Sequence, residues 1–192
     1  KKALDLNNIE FSINAGDGAF YGPKIDFSLK DSLSRVWQLG TIQLDFSMPG
    51  RLNASYIDAD GNKDTPVMIH RAILGSLERF VGILIEHYSG NLPLWLAPTQ
   101  ITILNITDKH KEYSTSINNQ LIQLGYRSEC DLSNEKIGYK IRNHAMTRVP
   151  YMLIIGDKEL EDKKVTVRDR TGNDLGSMSI DQFCEMLKNE MN

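Results

Sequence analysis

The sequence predicts two folds in succession, an α+β region followed by an α/β domain. Up to about residue 98, extended segments separated by turns lead into one amphipathic helix at residues 77–88. From residue 100 onward, short apolar strands alternate with helices in the order βαβαββα, which is typical of a mixed sheet with helices on both faces. Between the two regions, the stretch NLPLWLAP has a proline near each end, and we expect it to be a linker.

Length and composition are those of an ordinary globular protein. The chain has 192 residues, of which 41% are hydrophobic and 24% are charged. Its net charge of −3 means that any nucleic-acid-binding surface must be a local patch. The two cysteines, Cys130 and Cys184, favour free thiols in a reducing compartment over a disulfide framework. No apolar run reaches the roughly 18 residues that a membrane span requires, and no signal peptide is recognisable.

The first half reads as strands joined by turns and loops. In residues 34–46, apolar side chains alternate with polar ones, and the glutamines Gln38 and Gln43 occupy two polar positions. Such amides usually face solvent, but in a cleft they suit hydroxyl groups and purine edges because they donate and accept hydrogen bonds together. The segments expected here are strands at residues 19–27, 34–46 and 67–69, with a loop at residues 48–64.

The stretch PVMIHRAILGSLERFVGILIEHY at residues 66–88 contains the strongest candidate site. Gly75 interrupts the apolar pattern, and Ser76 can cap a helix whose apolar residues recur every three or four positions, so we expect one buried face. Arg79 falls in the first turn, where the positive end of the helix dipole disfavours a cation. A bound phosphate would remove that penalty, and so would an ion pair with a carboxylate such as Glu78. Spacing alone leaves both alternatives open.

The second half carries the pattern of an open α/β sheet. Asp108 is a suitable cap for its first helix, Gly125 a suitable end, and residues 174–176 read as a turn. The final helix is capped by Ser179 or Asp181. The expected strands are residues 101–106, 126–132, 151–155 and 163–168, and the expected helices are residues 109–124, 134–149 and 179–191.

The helix after Asn134 carries an unusual concentration of positive charge. Four basic residues lie four positions apart, Arg142 adds a fifth, and residues 136–148 contain no acid. A charged row of this kind is usually a solvated face. On a domain without overall positive charge it also suits phosphate binding, and the sequence does not decide between the two interpretations. The row consists of Lys136, Lys140, His144 and Arg148.

Several linked motifs resemble one enzyme family. A strand that ends in a short loop and is followed by a Gly-Ser-x-Glu-Arg helix resembles the third signature motif of the class II aminoacyl-tRNA synthetases. The wording PVMIHRAILGSLERF is similar to the threonyl-tRNA synthetases, as are AFYGPKIDF and WQLGTIQLDF before it. Later segments resemble the anticodon-binding domain of that family, namely WLAPTQITILNI, DLSNEKIGYKIR, VPYMLIIGDKE and DLGSM. In all, the resemblance runs from about Gly16 to the end of the sequence.

The resemblance implies both a fold and an activity. Residues 1–98 would be the C-terminal part of a class II catalytic domain built on an antiparallel sheet. Residues 99–192 would be an anticodon-binding domain with a mixed five-stranded sheet. The implied activity is that of a threonine–tRNA ligase, which uses ATP to convert L-threonine to threonyl-adenylate and then transfers threonine to the 3′ end of threonine tRNA.

The family's first two signature motifs and its editing domain are absent from the sequence. We therefore expect a fragment of a longer cytoplasmic homodimeric enzyme, inactive on its own. A non-catalytic tRNA-binding module related to the class II synthetases is the main alternative. A histidyl-, prolyl- or glycyl-type synthetase is a closer one, because their anticodon domains share this fold.

Carried over residue by residue, the resemblance assigns roles in the first half. Tyr21 and Gln43 would contact threonine, whereas Lys24 and Gln38 would contact ATP or the adenylate. Arg79 would be the catalytic arginine that neutralises ATP phosphate. Ser76 would also belong to the substrate-binding set. The family often has cysteine where this sequence has Leu39, which we interpret as a change in packing.

A metal site is not evident from the residues themselves. A zinc site needs three or four ligands, and His70 has no cysteine or histidine partner nearby in the sequence. By resemblance, His70 would supply one of three Zn²⁺ ligands, with the other two upstream of residue 1, and Mg²⁺ would accompany ATP. An open position on zinc would accept the amino group and hydroxyl of threonine and so exclude valine.

The resemblance also supplies candidates for tRNA recognition. Phosphate contacts give affinity without sequence choice, whereas anticodon bases must be read by separate polar groups. Asn134, Glu159 and Arg168 are the candidates for base reading. The full set expected at the tRNA anticodon is Asn134, Lys136, Lys140, Arg142, Glu159 and Arg168.

Overall fold

The computed structural model describes residues 1–191 and divides into two compact units. The first unit is Lys1–His87, and the second begins at Tyr88. Among the described residues, no helix is long and apolar enough to cross a membrane. Both cysteines are free thiols, and burial raises the pKa of Cys130 to about 11, so this thiol is not poised for reaction.

The first unit is built around a three-stranded antiparallel sheet in the order β1-β2-β5. Its central strand, β2, is the longest, and one helix, α3, follows the sheet. The elements in chain order are α1 (Lys2–Leu6), β1 (Lys24–Lys30), β2 (Val36–Asp45), α2 (Met48–Arg51), β3 (Tyr56–Ile57), β4 (Lys63–Asp64), β5 (Met68–Ala72) and α3 (Leu77–Tyr88). The antiparallel sheet expected for this half is confirmed.

Two glycines fix how the chain enters and leaves this sheet. The strand expected at residues 19–27 begins only at Lys24, because Ala19 and Gly22 form a tight isolated bridge before it. A Cβ at Gly22 would lie 2.2 Å from the carbonyl oxygen of Leu44, so only glycine fits there. Gly75 has φ +66° and packs against Leu39, where a Cβ would lie 2.9 Å from the carbonyl oxygen. These glycines bring the loops at each end close to β2.

Helix α3 begins as the sequence indicates. Ser76 Oγ accepts a hydrogen bond from the Arg79 amide at 3.3 Å, which confirms Ser76 as the cap. The expected buried face is wrong for this chain: Leu77 is 65% exposed and Val81 is 50% exposed, while only Ile83 of the helix is buried. The apolar stripe is present, but residues 1–87 do not cover it.

The second unit is an open mixed sheet with helices on both faces. The strand order is β10-β9-β8-β6-β7, with β6 parallel to β7 and β8, and the other pairs antiparallel. Its elements are β6 (Ile101–Asn105), a 3₁₀ turn (Asp108–His110), α4 (Lys111–Gln123), β7 (Ser128–Asp131), α5 (Ile137–Met146), β8 (Tyr151–Ile155), α6 (Asp157–Asp162), β9 (Val165–Asp169), β10 (Asp174–Met178) and α7 (Ile180–Met191).

The mixed five-stranded sheet is confirmed, with two corrections to its elements. Residues 174–176 are the start of β10 rather than a turn, because Asp174 pairs with Arg168 and Gly176 pairs with Val167 after a bulge that shifts the register by one residue. Helix α6 was not expected, since six residues are too few to show a helical period. Ser179 caps α7, as its hydroxyl accepts the Gln182 amide at 3.2 Å.

The hydrophobic core of the second unit lies on the face of the sheet that α4 and α7 cover. Alternate residues of the central strands point into it, together with Leu121 from α4 and Phe183 from α7. The stretch expected to be a linker also contributes, because Leu94 is part of this core and Ala97 is buried. It is therefore packed structure and not a free linker. Helix α5 contacts β6.

Candidate active-site pocket and nucleic-acid interface

The first unit contains an open pocket of about 340 Å³ beside the β2–β5 pair. Tyr21 donates a hydrogen bond from its hydroxyl to Gln43 Oε1 at 2.6 Å. Gln43 is the register partner of His70 across the two strands, and the Tyr21 and His70 ring centroids are 6.1 Å apart. Two predicted substrate-binding residues and the predicted zinc ligand therefore line one pocket. Asp45, Ser47 and Arg51 add further polar groups to it.

Asp45 anchors His70 at this pocket. His70 Nε2 lies 2.9 Å from Asp45 Oδ2, and the buried carboxylate also accepts the amides of Ser47 and Met48 at 2.8 and 2.9 Å. The hydrogen bond with His70, together with these two amides, lowers the pKa of Asp45 below its usual value. Asp45 is therefore ionised at neutral pH and fixes the orientation of the imidazole.

These residues do not by themselves form a zinc site. Residues 1–191 contain no group of three or more histidine, cysteine, aspartate or glutamate side chains arranged to hold a metal ion. His70 and Asp45 supply two donors at most, and zinc requires three or four.

The other predicted ATP contacts lie outside the pocket lining. Lys24 Nζ pairs with Asp26 at 2.9 Å, and Gln38 Nε2 donates to the other carboxylate oxygen of Asp26 at 2.8 Å. The hydrogen bond from Lys24 lowers the pKa of Asp26. Asp26 thus brings Lys24 and Gln38 together across β1 and β2. The sequence pattern did not single out Asp26.

Arg79 is exposed and forms no ion pair within the described residues. The suggested pair with Glu78 is not formed, because Glu78 accepts the Ser76 hydroxyl at 2.7 Å instead. The Arg79 guanidinium carbon lies 6.0 Å from the ring centroid of Trp37. Trp37 is itself held by Asp31, which accepts its indole N–H at 2.9 Å. The charge of Arg79 therefore remains available to an anionic ligand.

In the second unit, the expected basic row is corrected at Lys140. Its side chain is only 1% exposed, and Nζ donates to Asn105 Oδ1 and to the carbonyl of Asp131, each at 2.9 Å. Burial lowers the pKa of Lys140, although the nearby charge of Asp131 opposes that shift. Lys140 is not available to RNA phosphate, because these interior oxygens hold its ammonium group.

His144 is also directed toward Asp131, with its Nε2 3.0 Å from Oδ2. Burial works against ionisation of Asp131, but hydrogen bonds from Ser133 and His144 more than offset it and lower the pKa of the carboxyl. One turn of α5 is thus used for internal packing. Lys136, Arg142 and Arg148 remain exposed, and none forms an ion pair within residues 1–191.

The candidate base-reading residues differ in how free they are. Asn134 is exposed on the loop before α5. Glu159 is half-buried, accepting the Gly156 amide at 3.0 Å and the Thr166 hydroxyl at 2.8 Å. Arg168 shares the Thr166 face of β9, since Val165 and Val167 face the core, and its guanidinium pairs with Asp174 at 3.4 Å. The structure therefore brings Glu159 and Arg168 to one side of the sheet.

Two family models cover nearly all of the chain. Residues 3–88 match the tRNA synthetase class II core domain (G, H, P, S and T), and residues 100–190 match the anticodon binding domain.

The chain belongs to the class II aminoacyl-tRNA synthetases.

Relatives similar to this chain include several threonine–tRNA ligases. Those of Halorhodospira halophila and Alkalilimnicola ehrlichii are 60% and 59% identical over 98% and 100% of this chain. The chain spans about 30% of the length of these relatives. The predicted resemblance to threonyl-tRNA synthetases is confirmed, and this identity favours them over the histidyl, prolyl and glycyl types.

Solved synthetase structures agree with the fold. The RNA binding domain of threonyl-tRNA synthetase from Cryptosporidium parvum Iowa II matches with a TM-score of 0.86 and 43% identity, over 98% of this chain and 48% of that one. Prolyl-tRNA synthetase from Cryptosporidium parvum matches with a TM-score of 0.67 at 20% identity, over 93% of this chain and 41% of that one, and shows the fold alone.

Sequence reasoning missed three acids of this synthetase chain that position predicted side chains. Asp26, Asp45 and Asp131 each position a predicted functional or basic side chain. For Asp45 a signal existed, because an acid in an alternating strand just before a loop can receive backbone amides. For Asp26 and Asp131 the partners come from other strands and helices, which spacing does not reveal.

Proposed function

We propose that this chain is the C-terminal part of a threonine–tRNA ligase. Residues 1–98 supply part of the catalytic domain, and residues 99–192 supply the anticodon-binding domain. The observation that carries the proposal is the pocket formed by Tyr21, Gln43 and His70, whose hydroxyl, amide and imidazole suit a small amino acid with a hydroxyl group. Identity of 56–60% to threonine–tRNA ligases over the whole chain supports it.

The reaction has two steps. A carboxylate oxygen of L-threonine attacks the α-phosphorus of ATP, so a new P–O bond forms as pyrophosphate leaves. A hydroxyl of the terminal tRNA ribose then attacks the threonyl carbonyl carbon, and AMP leaves. Catalysis is mainly positioning and neutralisation of charge, for which a guanidinium is well suited.

The residues divide between the two substrates. Tyr21 and Gln43 orient threonine, because they share one pocket and one hydrogen bond. Lys24, Gln38 and Ser76 bind ATP or the adenylate. Arg79 neutralises phosphate, and its lack of a carboxylate partner within residues 1–191 supports that role.

Metal ions enter the proposal only as partners of the full-length enzyme. His70 contributes one zinc ligand, and the remaining ligands come from parts of the enzyme outside this chain, since residues 1–191 do not make a complete site. Mg²⁺ accompanies ATP. The full-length enzyme is a homodimer in the cytoplasm and takes threonine tRNA as its partner.

Contacts to tRNA come from the second unit. Exposed Lys136 and Arg142 bind phosphate, while Asn134, Glu159 and Arg168 read anticodon bases. Glu159 and Arg168 suit base reading because they lie on the same side of the sheet and present an acceptor and a donor. Lys140 takes no part, because it is buried.

Amino-acid-dependent exchange of pyrophosphate into ATP tests this proposal in the full-length polypeptide that carries this chain. Threonine should support exchange strongly, valine very weakly, and the 192-residue chain alone should support none. A full-length protein that binds threonine tRNA but shows no exchange with threonine would instead indicate a non-catalytic tRNA-binding module.

A further inference from the structure

The second unit contains an open hollow of about 620 Å³, and of its lining residues only Arg142 has a role in the proposal above. Three arginines from two separate parts of the chain line it: Arg142 on α5, Arg148 just after α5, and Arg170 just after β9. We call these three residues and the hollow between them the arginine pocket. Its lining also includes the polar side chains of Asn91 and Thr171, and it includes no acid.

Within the described part of the chain, no carboxylate compensates the three positive charges. None of the arginines forms an ion pair with a carboxylate of residues 1–191, whereas Arg35 pairs with Asp31 and Glu86. Acids are not scarce, because the sequence has 25 of them against 22 lysines and arginines. Like charges gathered around one hollow repel each other, so an anion bound among them would be stabilised.

The pocket is held in shape by the backbone on two sides. Arg170 Nη2 donates to the carbonyl oxygen of Leu92 at 2.9 Å, which fixes one guanidinium and leaves its other N–H groups free. Gly90 lies against the stem of Arg148, since a Cβ at Gly90 would be 3.8 Å from its Cγ. The arginines are therefore partly pre-organised rather than freely mobile.

Arg148 also occupies a position where glycine would be expected. It follows the C-cap Thr147 of α5 and has φ +62°, in the left-handed region where a side chain is unfavourable. A cation near a helix C-terminus is favourable, which accounts for one arginine but not for three around one hollow. Strain that persists at such a position is typical of a functional site.

We propose that the arginine pocket binds a backbone phosphate of tRNA, an inference that rests on the proposed function. A guanidinium binds phosphate through a planar pair of N–H groups, and several of them in one concave site suit a phosphodiester. The exposed face of α5 favours RNA over a small free anion. Tyr139 (59% exposed) and Met146 (73% exposed) flank Arg142 at three- and four-residue spacing and offer aromatic and apolar contacts to ribose and bases.

The decisive variant is Arg148→Gly, because a structural role and a binding role predict opposite results. Glycine removes the guanidinium and relieves the left-handed strain, so the thermal midpoint should stay unchanged or rise. Binding of a threonine tRNA transcript by the 192-residue chain should weaken roughly tenfold at about 0.1 M salt. The slope of log K against log salt concentration should fall by about 0.7–0.9, the value for one lost phosphate contact.

The loss should be equal for a transcript with an altered anticodon, because a phosphate contact carries no sequence information. Arg148→Gln, which keeps the strained backbone, should weaken binding to the same extent. The matched control is Lys188→Ala, which removes one exposed positive charge from α7 and should leave binding within about twofold of the unaltered chain.

Three outcomes would overturn the inference. The first is unchanged tRNA binding by Arg148→Gly and Arg148→Gln. The second is an equal loss in Lys188→Ala, which would indicate a general charge effect. The third is tight binding of inorganic phosphate that depends on Arg148 while tRNA binding does not, which would indicate a small-anion site. If the unaltered chain binds neither transcript, the tRNA-binding part of the proposed function fails as well.

Discussion

Asp45 and Asp131 play the same part in the two units. Each is a shielded carboxylate at or near the end of a strand, and each lies within 3.0 Å of a histidine nitrogen, His70 in one case and His144 in the other. Each also accepts a backbone amide from the loop that follows its strand. A single acid thereby fixes a loop and a titratable side chain together, which pre-organises the surface beside it.

At Lys140 we expect a stability defect. Lys140→Ala leaves the oxygens of Asn105 and Asp131 without their donor and opens a cavity. The free energy of unfolding of the second unit should therefore fall by about 2–4 kcal/mol. Lys140→Met should lose less stability, because the methionine side chain fills most of the volume that lysine occupied. Urea unfolding followed by circular dichroism measures both. An exposed, phosphate-binding Lys140 would give the opposite pattern, with weaker tRNA binding and normal stability.

At Arg79 we expect a catalytic defect in the full-length enzyme. Arg79→Lys keeps the charge but loses the planar fork, so threonine-dependent pyrophosphate exchange should lose about 2–4 kcal/mol of transition-state stabilisation. The matched control is Arg71→Lys, whose guanidinium already donates to the carbonyl oxygen of Ala72 at 2.9 Å. A structural Arg79 would instead show a lower thermal midpoint with near-normal exchange.

At the scale of elements, the β1–β2 hairpin depends on one acid. Asp31 accepts the indole N–H of Trp37, the Arg35 and Leu33 amides, and the Arg35 guanidinium. The indole bond, followed by those from Arg35, lowers the pKa of Asp31 from 3.8 to about 2. Trp37 in turn lies beside Arg79, so this acid orders the surroundings of the candidate catalytic arginine.

The hairpin should therefore loosen in acid. The pKa of Asp31 is lower in the folded hairpin than in the unfolded chain. Its contribution to the stability of the hairpin is therefore present above about pH 4 and is lost as the pH falls toward 2. Trp37 fluorescence in a Trp95→Phe background should report this transition. Asp31→Asn should flatten this transition. Near pH 2, the fluorescence of the variant should equal that of the unaltered hairpin. If the Asp31→Asn variant showed the same transition, other carboxylates would be its cause.

Sequence patterns predicted the elements well where a helix was long or a strand was a continuous apolar run. Residues 151–155 form a strand as expected, and α3 and α7 begin at their expected serine caps. Short elements such as α6 were missed, since they carry too few residues to show a period. The prediction of an exposed basic row on α5 was wrong at Lys140. Spacing defines a helix face, but it does not show which neighbouring strands supply partners for that face.

At the scale of the whole molecule, the two units differ sharply in the size of the hydrophobic core that each contains. Of the 18 hydrophobic residues that are buried within the described range 1–191, Ile83 alone belongs to the first unit, and the other 17 belong to the second. The first unit instead exposes large apolar side chains such as Ile69, Ile73 and Leu77. Exposed apolar surface of this extent marks a face that needs a partner, which agrees with a chain spanning about 30% of its relatives.

We therefore expect residues 88–191 to fold independently and residues 1–87 to depend on the rest of the enzyme. In hydrogen exchange of the 192-residue chain, amides of β6 and β8 should be protected by the full unfolding free energy of the second unit. Amides of β1 and β5 should exchange through easier local opening, because little buried apolar area opposes it. A separate polypeptide of residues 88–191 should keep the thermal midpoint of the second unit within about 3 °C, since its core lies entirely within that range. A single cooperative transition that protects both sheets equally, and that is lost on excision, would show that the units fold only together.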